Sequence, residues 1–396
     1  MQEDSSIVPY FSVVIPTKGR SWIIKDTIQS VLQQSFSDFE LLIIDNDDND
    51  ETMKVVSSFS DHRLVYIRTG GLSMSANWQI GINRSKGQFV ILTADKTGIK
   101  QDGLLMLHCY TKLYNEINVF NYEYDTYYDE DNVYISRVFE VAPKLVSANE
   151  LLSLLLDSKH AKFSHLSGRG YNSCIRREVL KRIRRKVGDV CVGFNPDYTI
   201  AYNLMMDGQN AIYIPFSPLL ARMKSFKSDK HYGNGNAYTN KTSLFMSYLT
   251  DCTKSGLSYC DLVPIKAFVV YSVLLNDFFH VAAKWGKNYQ FNKIEYYYFH
   301  YKETLYRKSF LVDVDDELMA IKKAISREQL SLRLKLNVIV AYLVLRSQLY
   351  GVYRFMERYI LVRKFLSRLG SKGENIPDRK YSNFLECAIS ERCVLP

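Results

Sequence analysis

Apolar positions in the first hundred residues follow two alternating periods. "FSVVIP" (11–16), "FELLIID" (39–45), "RLVYIR" (63–68) and "QFVILTA" (88–94) are short, nearly continuous apolar runs that end in turn residues. That is the pattern of strands buried on both faces. Between them, "SWIIKDTIQSVLQQS" (21–35) sets Trp22, Ile23, Thr27, Ile28, Val31 and Leu32 at helical spacing behind Ser21 as N-cap. "ETMKVVSSF" (51–59) and "SMSANWQIGINRSKG" (73–87) predict two more helices, the second ended by Gly87, and a further one runs from about Asp102 to Asn115. Strands alternating with helices predict right-handed βαβ units and a mostly parallel sheet.

Beyond Asn115 the rhythm changes. "EINVFNYEYDTYYDEDNVYISRVFEV" (116–141) predicts a hairpin around the acidic turn "YYDEDN", and "SANELLSLLL" (147–156) opens with the capping-box spacing Ser147…Glu150. "GYNSCI" reads as a strand and "RREVLKRIRRK" (176–186) as a strongly basic helix. In "FNPDYTIAYNLMMDG" (194–208) Asn195 falls at N-cap, Pro196 at N1 and Gly208 just past the end. "NAIYIP" is expected as the last strand, followed by a Gly/Asn/Ser/Lys-rich loop at 224–240 long enough to serve as a lid. From about Ser243 the pattern is helical. The division expected is an α/β domain over 1–245 and a helical region over 246–396.

Composition narrows the classes. At 396 residues, 47% apolar and 23% charged, the chain has the balance of a folded globular protein. No apolar run reaches the roughly 18 residues of a spanning helix, and the acidic start "MQEDSS" is no signal peptide, so a cytoplasmic location is expected. Seven scattered cysteines without a C-x-x-C pair suit free thiols. The net charge of +9 fits an anionic partner. Nucleic acid is not the one expected, because the basic residues are spread over several helices and no recognised module is present. The segment "RSQLYGVYRFMERYILVRKFLSRLGSK" (346–372) reads as a basic amphipathic helix, either an interfacial anchor at the inner face of the cell membrane or a packing or oligomer surface.

The stretches that carry chemistry lie at predicted strand ends. "PTKGR" follows the first strand, where Pro16 is expected to stop it and Thr17–Gly19 to turn over the sheet edge. Backbone amides there, with Lys18 or Arg20, could face a nucleotide diphosphate. "IDNDDND" ends the second strand, with Asp45 first out of it; Asp48 and Asp50 fit a solvated turn ahead of a helix. In the third helix Trp78 reads as core and Arg84 and Lys86 as a solvent-facing end. "TADKTG" ends the fourth strand.

Taken in order, "FSVVIPTKGR", "ELLIIDNDDND", "SMSANWQIGINRSKGQFVILTADKTGIKQDGLL" and "NPDYTIAYNLMMDG" resemble the landmarks of a bacterial family-2 glycosyltransferase with the GT-A fold, over roughly residues 10–220. The resemblance implies a Rossmann-like, mostly parallel mixed sheet. It also implies inverting transfer from a nucleotide-sugar donor, a UDP-sugar first, to a glycan or lipid-linked glycan acceptor of surface-polysaccharide or lipopolysaccharide synthesis. On this reading Asp45, with Asp47, meets the nucleobase, Asn77 faces the nucleotide, and Pro16, Thr17 and Arg20 line the donor site. Asp197, at the second position of its helix where the dipole keeps it ionised, is the base that deprotonates the acceptor.

One departure stands out. Members of the family usually carry a carboxylate cluster at the end of the fourth strand to hold Mg²⁺ or Mn²⁺. This chain keeps only Asp95, followed by Lys96 and Thr97. The reading placed first needs no metal: Asp95 contacts ribose or donor sugar and Lys96 supplies positive charge to the diphosphate. In the second, Asp95 and His231 hold the ion, and in the third catalysis has been lost. Outside the family, the alternatives are a nucleotidyltransferase on a similar sheet and a non-catalytic glycan-assembly subunit.

Overall fold

The computed structural model describes residues 8–130, 132–136, 142–223, 250, 252–253, 256–308, 313–357 and 381–390. The 224–240 loop, His231 and most of the 346–372 segment lie outside the described residues. The chain opens with β1 (Phe11–Thr17), α1 (Ser21–Leu32), β2 (Phe39–Asp45), α2 (Glu51–Val56), β3 (Leu64–Arg68), α3 (Met74–Arg84) and β4 (Phe89–Leu92). These four strands are parallel neighbours in the order β3-β2-β1-β4. Every residue of β1, β2 and β4 is buried, which is why their sequences run apolar without alternation.

After β5 (Thr97–Ile99) and α4 (Gly103–Leu113) come β6 (Val119–Asn121), β7 (Tyr124–Tyr128), β8 (Val133–Ile135), β9 (Lys144–Val146), α5 (Ala148–Leu156) and α6 (His160–Leu166). A 3₁₀ turn (Gly170–Asn172) leads into β10 (Ser173–Arg176), α7 (Arg177–Val187), α8 (Pro196–Met206), β11 (Ala211–Tyr213) and β12 (Leu219–Met223). The main sheet grows to β3-β2-β1-β4-β10-β6-β11-β9, with β10 antiparallel to both its neighbours. A second sheet, β5-β12-β7-β8, starts at the residues that follow Asp95-Lys96. The expected mixed, mostly parallel α/β sheet with a helical extension is the architecture found.

Several local expectations change. The acidic hairpin exists as β7–β8, but β6 leaves it for the main sheet, and β12 rather than "NAIYIP" is the last strand before residue 224. Pro16 does not stop β1; it lies inside the strand, paired with Ile44. Val14 O accepts from Thr93 N and Thr17 O from Asn46 N, so even positions face β4, and β4 has already ended where Pro16 lacks its N–H. Gly87 does not cap α3, which ends at Arg84 with Ser85 at C-cap. Its constraint is proximity instead: a Cβ there would lie 2.5 Å from Ser12 N. Trp22 is 75% exposed rather than part of the buried face of α1. Ser147 does cap α5, its Oγ accepting from Glu150 N at 3.1 Å.

The helical region comprises α9 (Val270–Lys284), α10 (Lys293–Lys308), α11 (Asp315–Ser326) and α12 (Leu330–Glu357), with α13 (Phe384–Ser390) after it. One apolar cluster runs across the 245 boundary, joining Leu151, Leu155, Tyr202 and Met205 to Leu275, Phe278, Tyr296 and Ile321. The short α13 returns to the front domain, where Phe384, Cys387 and Ala388 pack against Tyr127, Tyr134 and Leu220 of the small sheet.

Candidate active site

The carboxyl ends of β1, β2 and β4 converge on one cluster. Asp95, 2% exposed, accepts from Thr17 Oγ1 at 3.0 Å on one oxygen and from Arg20 Nη1 at 2.8 Å on the other. Its carbonyl accepts from Thr27 Oγ1 at 2.7 Å, which fixes the Ala94–Thr97 turn to α1. Asp47 Oδ1 accepts from Gly19 N at 2.6 Å, and Gly19 has φ +67°, a conformation that favours glycine. The 17–20 loop is thus fastened at three points by two acidic side chains, and the Arg20 side chain remains 48% exposed at its rim.

Asp45 and Asn77 brace this cluster from behind. Asp45 is fully buried; Tyr66 Oη donates to its Oδ2 at 2.6 Å and Asp47 N to its Oδ1 at 3.0 Å. Burial raises its pKa, opposed by those two hydrogen bonds, and raises the Tyr66 phenol to about 12, helped by the same contact. Asn77 donates to Ile44 O at 3.2 Å and accepts from Thr69 Oγ1 at 2.7 Å, tying α3 to the end of β2 and the loop after β3. Asp48 and Asp50 are exposed, and Asp50 pairs with Arg68 at 2.7 Å.

Lys96 diverges from Asp95. Its Nζ lies 3.9 Å from Met223 Sδ at the end of β12, on the side of the small sheet. As a divalent-ion site the pair does not fit: both Asp95 oxygens accept from Thr17 and Arg20, and an ammonium-bearing residue follows. Among the described residues, no three His, Cys, Asp or Glu side chains gather as a metal-holding group.

Asp197 stands at the second position of α8, its side chain 19% exposed, with Arg169 Nη1 3.6 Å from Oδ2. Arg169 lies between two rings, its guanidinium carbon 4.9 Å from the Tyr171 centroid and 5.0 Å from that of Tyr198. Burial raises the Asp197 pKa while Arg169 and the backbone N–H of Tyr198 pull it down. A buried guanidinium and the amides of the first helical turn thus oppose a desolvation cost. Gly170, in the 3₁₀ turn that packs on β4, approaches so closely that a Cβ would lie 3.1 Å from Asp197 Cα and 3.1 Å from Trp78. Ser75 Oγ donates to Gly193 O at 2.7 Å, and Gln79 Oε1 accepts from Val190 N and Cys191 N at 2.8 and 3.0 Å. These contacts hang the front of α8 on α3 and on the end of β4.

Sequence reasoning passed over Arg169, Tyr66 and Asp277. A cue existed for the first in "GRG", an arginine between glycines, and for the last in an acid within the apolar run "VYSVLLNDFFHV".

With strand ends, a clamped loop and a mostly buried carboxylate on α8, the site can be set beside known proteins. Residues 12–119 match the family model for glycosyl transferase family 2. The matched segment covers β1 through the start of β6, so the Thr17–Asp95 cluster is inside it and Asp197 is outside. Over 92 residues the chain is 28% identical to the GalNAc(5)-diNAcBac-PP-undecaprenol beta-1,3-glucosyltransferase of Campylobacter jejuni, covering 22% of this chain and 30% of that one. Over 143 residues it is 24% identical to the UDP-Glc:alpha-D-GlcNAc-diphosphoundecaprenol beta-1,3-glucosyltransferase WfaP of Escherichia coli, covering 34% and 52%. The matches thus span a third to a half of these relatives' lengths. The crystal structure of S. aureus TarS 1–349 superposes over 87% of this chain and 91% of its own, at 13% identity and a TM-score of 0.44.

Proposed function

We propose that this chain is an inverting glycosyltransferase, moving a sugar from a nucleotide-sugar donor to a hydroxyl of a glycan in bacterial polysaccharide or lipopolysaccharide assembly. The observation that carries this is the pairing of two parts. A clamped loop sits at the carboxyl ends of β1, β2 and β4, and the helix that carries Asp197 packs on the 3₁₀ turn that itself contacts β4. The transfer machinery lies within 1–245, and among the described residues of 246–396 the helices from Val270 to Leu343 share an apolar cluster with it.

In the reaction, Asp197 takes the proton of the acceptor hydroxyl as its oxygen attacks the anomeric carbon from the face opposite the diphosphate. The bond from that carbon to the nucleoside diphosphate breaks, and the charge that develops there meets Arg20, Lys96 and the amides of residues 18–20. Donor contacts fall to Pro16, Thr17, Arg20, Asp45, Asp47, Asn77, Asp95 and Lys96. Asp45 takes up the base-side role by exchanging the Tyr66 hydroxyl for the base imide. Because the Asp95 oxygens are engaged by Thr17 and Arg20, the reading is one without a divalent metal. A strict Mn²⁺ or Mg²⁺ requirement, seen as turnover abolished by EDTA, would sink it.

The names of the two relatives suggest a UDP-hexose donor and an acceptor on a lipid diphosphate. The helical region supports a meeting with such an acceptor at an anionic membrane surface. Leu330, Leu334, Val338, Tyr342 and Leu345 of α12 are each more than half exposed and fall within an arc of about 120°. From Leu330 to Met356 the sequence holds Arg333, Lys335, Arg346 and Arg354 and no acid. Among the described residues, no helix is long and apolar enough to cross a membrane. Flotation with anionic liposomes, lost in Leu334→Glu/Val338→Glu, is the expected result; a stable dimer and no flotation would assign the stripe to a second copy instead.

The decisive assay is nucleoside diphosphate release from a panel of nucleotide sugars, with lipid-linked oligosaccharide as acceptor. Asp197→Asn should abolish transfer with little change in melting temperature. Near-normal turnover refutes the base, and pyrophosphate release from a nucleoside triphosphate refutes the reaction class.

A further inference from the structure

Asp277 is 1% exposed in the middle of α9, an otherwise apolar helix of the C-terminal region. Burying a carboxylate there without partners would be costly, and its partners are specific. Phe194 N donates to both oxygens at 3.2 and 3.0 Å, and Asn195 N and Asn195 Nδ2 donate to Oδ2 at 2.9 and 3.1 Å. Asn195 is the N-cap residue of α8, yet its side chain makes no cap bond to that helix; it turns to Asp277 instead. The approach is close enough that Gly193, at φ +69°, has no room for a side chain, since a Cβ would lie 2.3 Å from Asp277 Oδ1.

The grip is local to the start of α8. Only Pro196 separates Asn195 from Asp197, and the other side of the same segment is held by Ser75 Oγ on Gly193 O at 2.7 Å. Further along, Tyr202 Oη donates to Leu274 O at 3.1 Å and Trp285 Nε1 to Asn203 Oδ1 at 2.8 Å, so α8 and α9 also meet away from the site. Removal of Asp277 therefore leaves the two helices joined and frees the turn that aims Asp197.

We propose that Asp277 is a positioning residue for the transfer step, through which the helical C-terminal region fixes the first turn of the helix that carries the base. This inference rests on the reading of Asp197 as that base. The arrangement differs from a helix cap, because the amides held are those of Phe194 and Asn195, ahead of the first helical residue. What it fixes is the entry angle of the chain into α8. Burial raises the Asp277 pKa to about 7, opposed by Asn195 and the two backbone amides, which agrees with a group retained for its contacts.

The test compares Asp277→Ala and Asp277→Asn with the wild-type full-length chain, in steady-state kinetics with varied donor and in amide hydrogen exchange. Asp277→Ala is expected to lower kcat by about ten- to a hundredfold, the cost of an ångström-scale misplacement of the base. Donor KM should stay within about twofold, because the donor cluster is built on other strands. Asp277→Asn keeps one acceptor oxygen and should fall between the two. Exchange should accelerate in residues 190–200 and not across β1 to β4. An unchanged kcat in either variant overturns the inference. So does a joint change of kcat and donor KM that tracks a general loss of melting temperature. If Asp277→Ala does not fold, Asp277→Asn is decisive by the same criteria. If the wild-type chain turns over no nucleotide sugar, the reading of Asp197 fails separately, and unaltered exchange at 190–200 in Asp277→Asn then overturns the anchor itself.

Discussion

On the proposed reading of Asp197 as the base, Arg169 sets the pH range over which it acts. Its Nη1 is 3.6 Å from Asp197 Oδ2, and the two side chains are 12% and 19% exposed. At that distance a pair of unit charges attracts by about 4–5 kcal/mol at an effective dielectric constant of 20, equivalent to about three pH units. Residual solvent reduces this toward the lower part of the one-to-three range common for an Asp beside an Arg. Burial already raises the Asp197 pKa, and Arg169 is the largest influence opposing it. Replacing the cation with a neutral group leaves burial unopposed, so Asp197 holds its proton to higher pH and less of it is competent as a base. Arg169→Gln should therefore move the acidic limb of kcat/KM up by about one to three pH units, while Arg169→Lys, which keeps the charge, should move it much less. Profiles taken between pH 5 and 9 at constant ionic strength read this directly. Superimposable acidic limbs for wild type and Arg169→Gln, or equal displacement by Lys and Gln, would refute the reasoning.

Three further outcomes follow from the same contacts. Tyr66→Phe removes the hydroxyl that occupies Asp45 Oδ2 at 2.6 Å; if the nucleobase takes that place, donor KM falls by about two- to tenfold, the worth of one hydrogen bond, and a raised KM counts against it. Asp95→Asn can still accept from Arg20 and donate to Thr17 Oγ1, so it should cost no more than about tenfold in kcat/KM, whereas loss of more than about a thousandfold would point to a ligand role. His160 and His300 are buried, and burial lowers their pKa values to about 3 and about 4. The unfolded chain binds protons at both positions below about pH 6.5, so stability should fall as pH drops from 6.5 toward 4, by about 3 kcal/mol per histidine. Thermal melts flat between pH 7 and 4.5, or unaffected by His160→Phe, would contradict this.

What the sequence made legible were features written in consecutive residues. Continuous apolar runs marked β1, β2 and β4, and Ser147, Pro196 and Gly208 marked helix ends, because backbone chemistry at those points needs those residue types. Features decided by contacts far along the chain were not legible. Gly87 resembles a helix terminator until the Phe11–Ser12 backbone is seen to lie against it. Trp22 fits the buried face of α1 by spacing, yet it falls where that face meets solvent. β6 shares a hairpin-like sequence with β7 but pairs with β10 and β11, a choice made by residues more than fifty positions away. The same holds for the site. Thr17, Arg20, Asp47 and Asp95 are visible as strand-end residues, but their mutual hydrogen bonds are not. Arg169 and Asp277 are visible only as charges in unlikely surroundings.

The role of Asp95 follows from weighing its two bonds. The Arg20 side chain is 48% exposed, and an ion pair that open contributes on the order of 1 kcal/mol or less to stability. Folding therefore gains little from the pair, although Asp95 itself is almost fully buried. The larger consequence is conformational. An arginine has roughly 2 kcal/mol of rotamer entropy to lose, and Asp95, held in turn by Thr17, fixes the guanidinium at the rim before any ligand arrives. Asp47 does the same for the Gly19 amide. On the proposed reading a diphosphate then meets donors that are already oriented, and electrostatic stabilisation of a leaving group depends on that preorganisation. Both Asp95 oxygens accept from this chain's own hydroxyl and guanidinium groups, and the proposed metal-free reading rests on that arrangement.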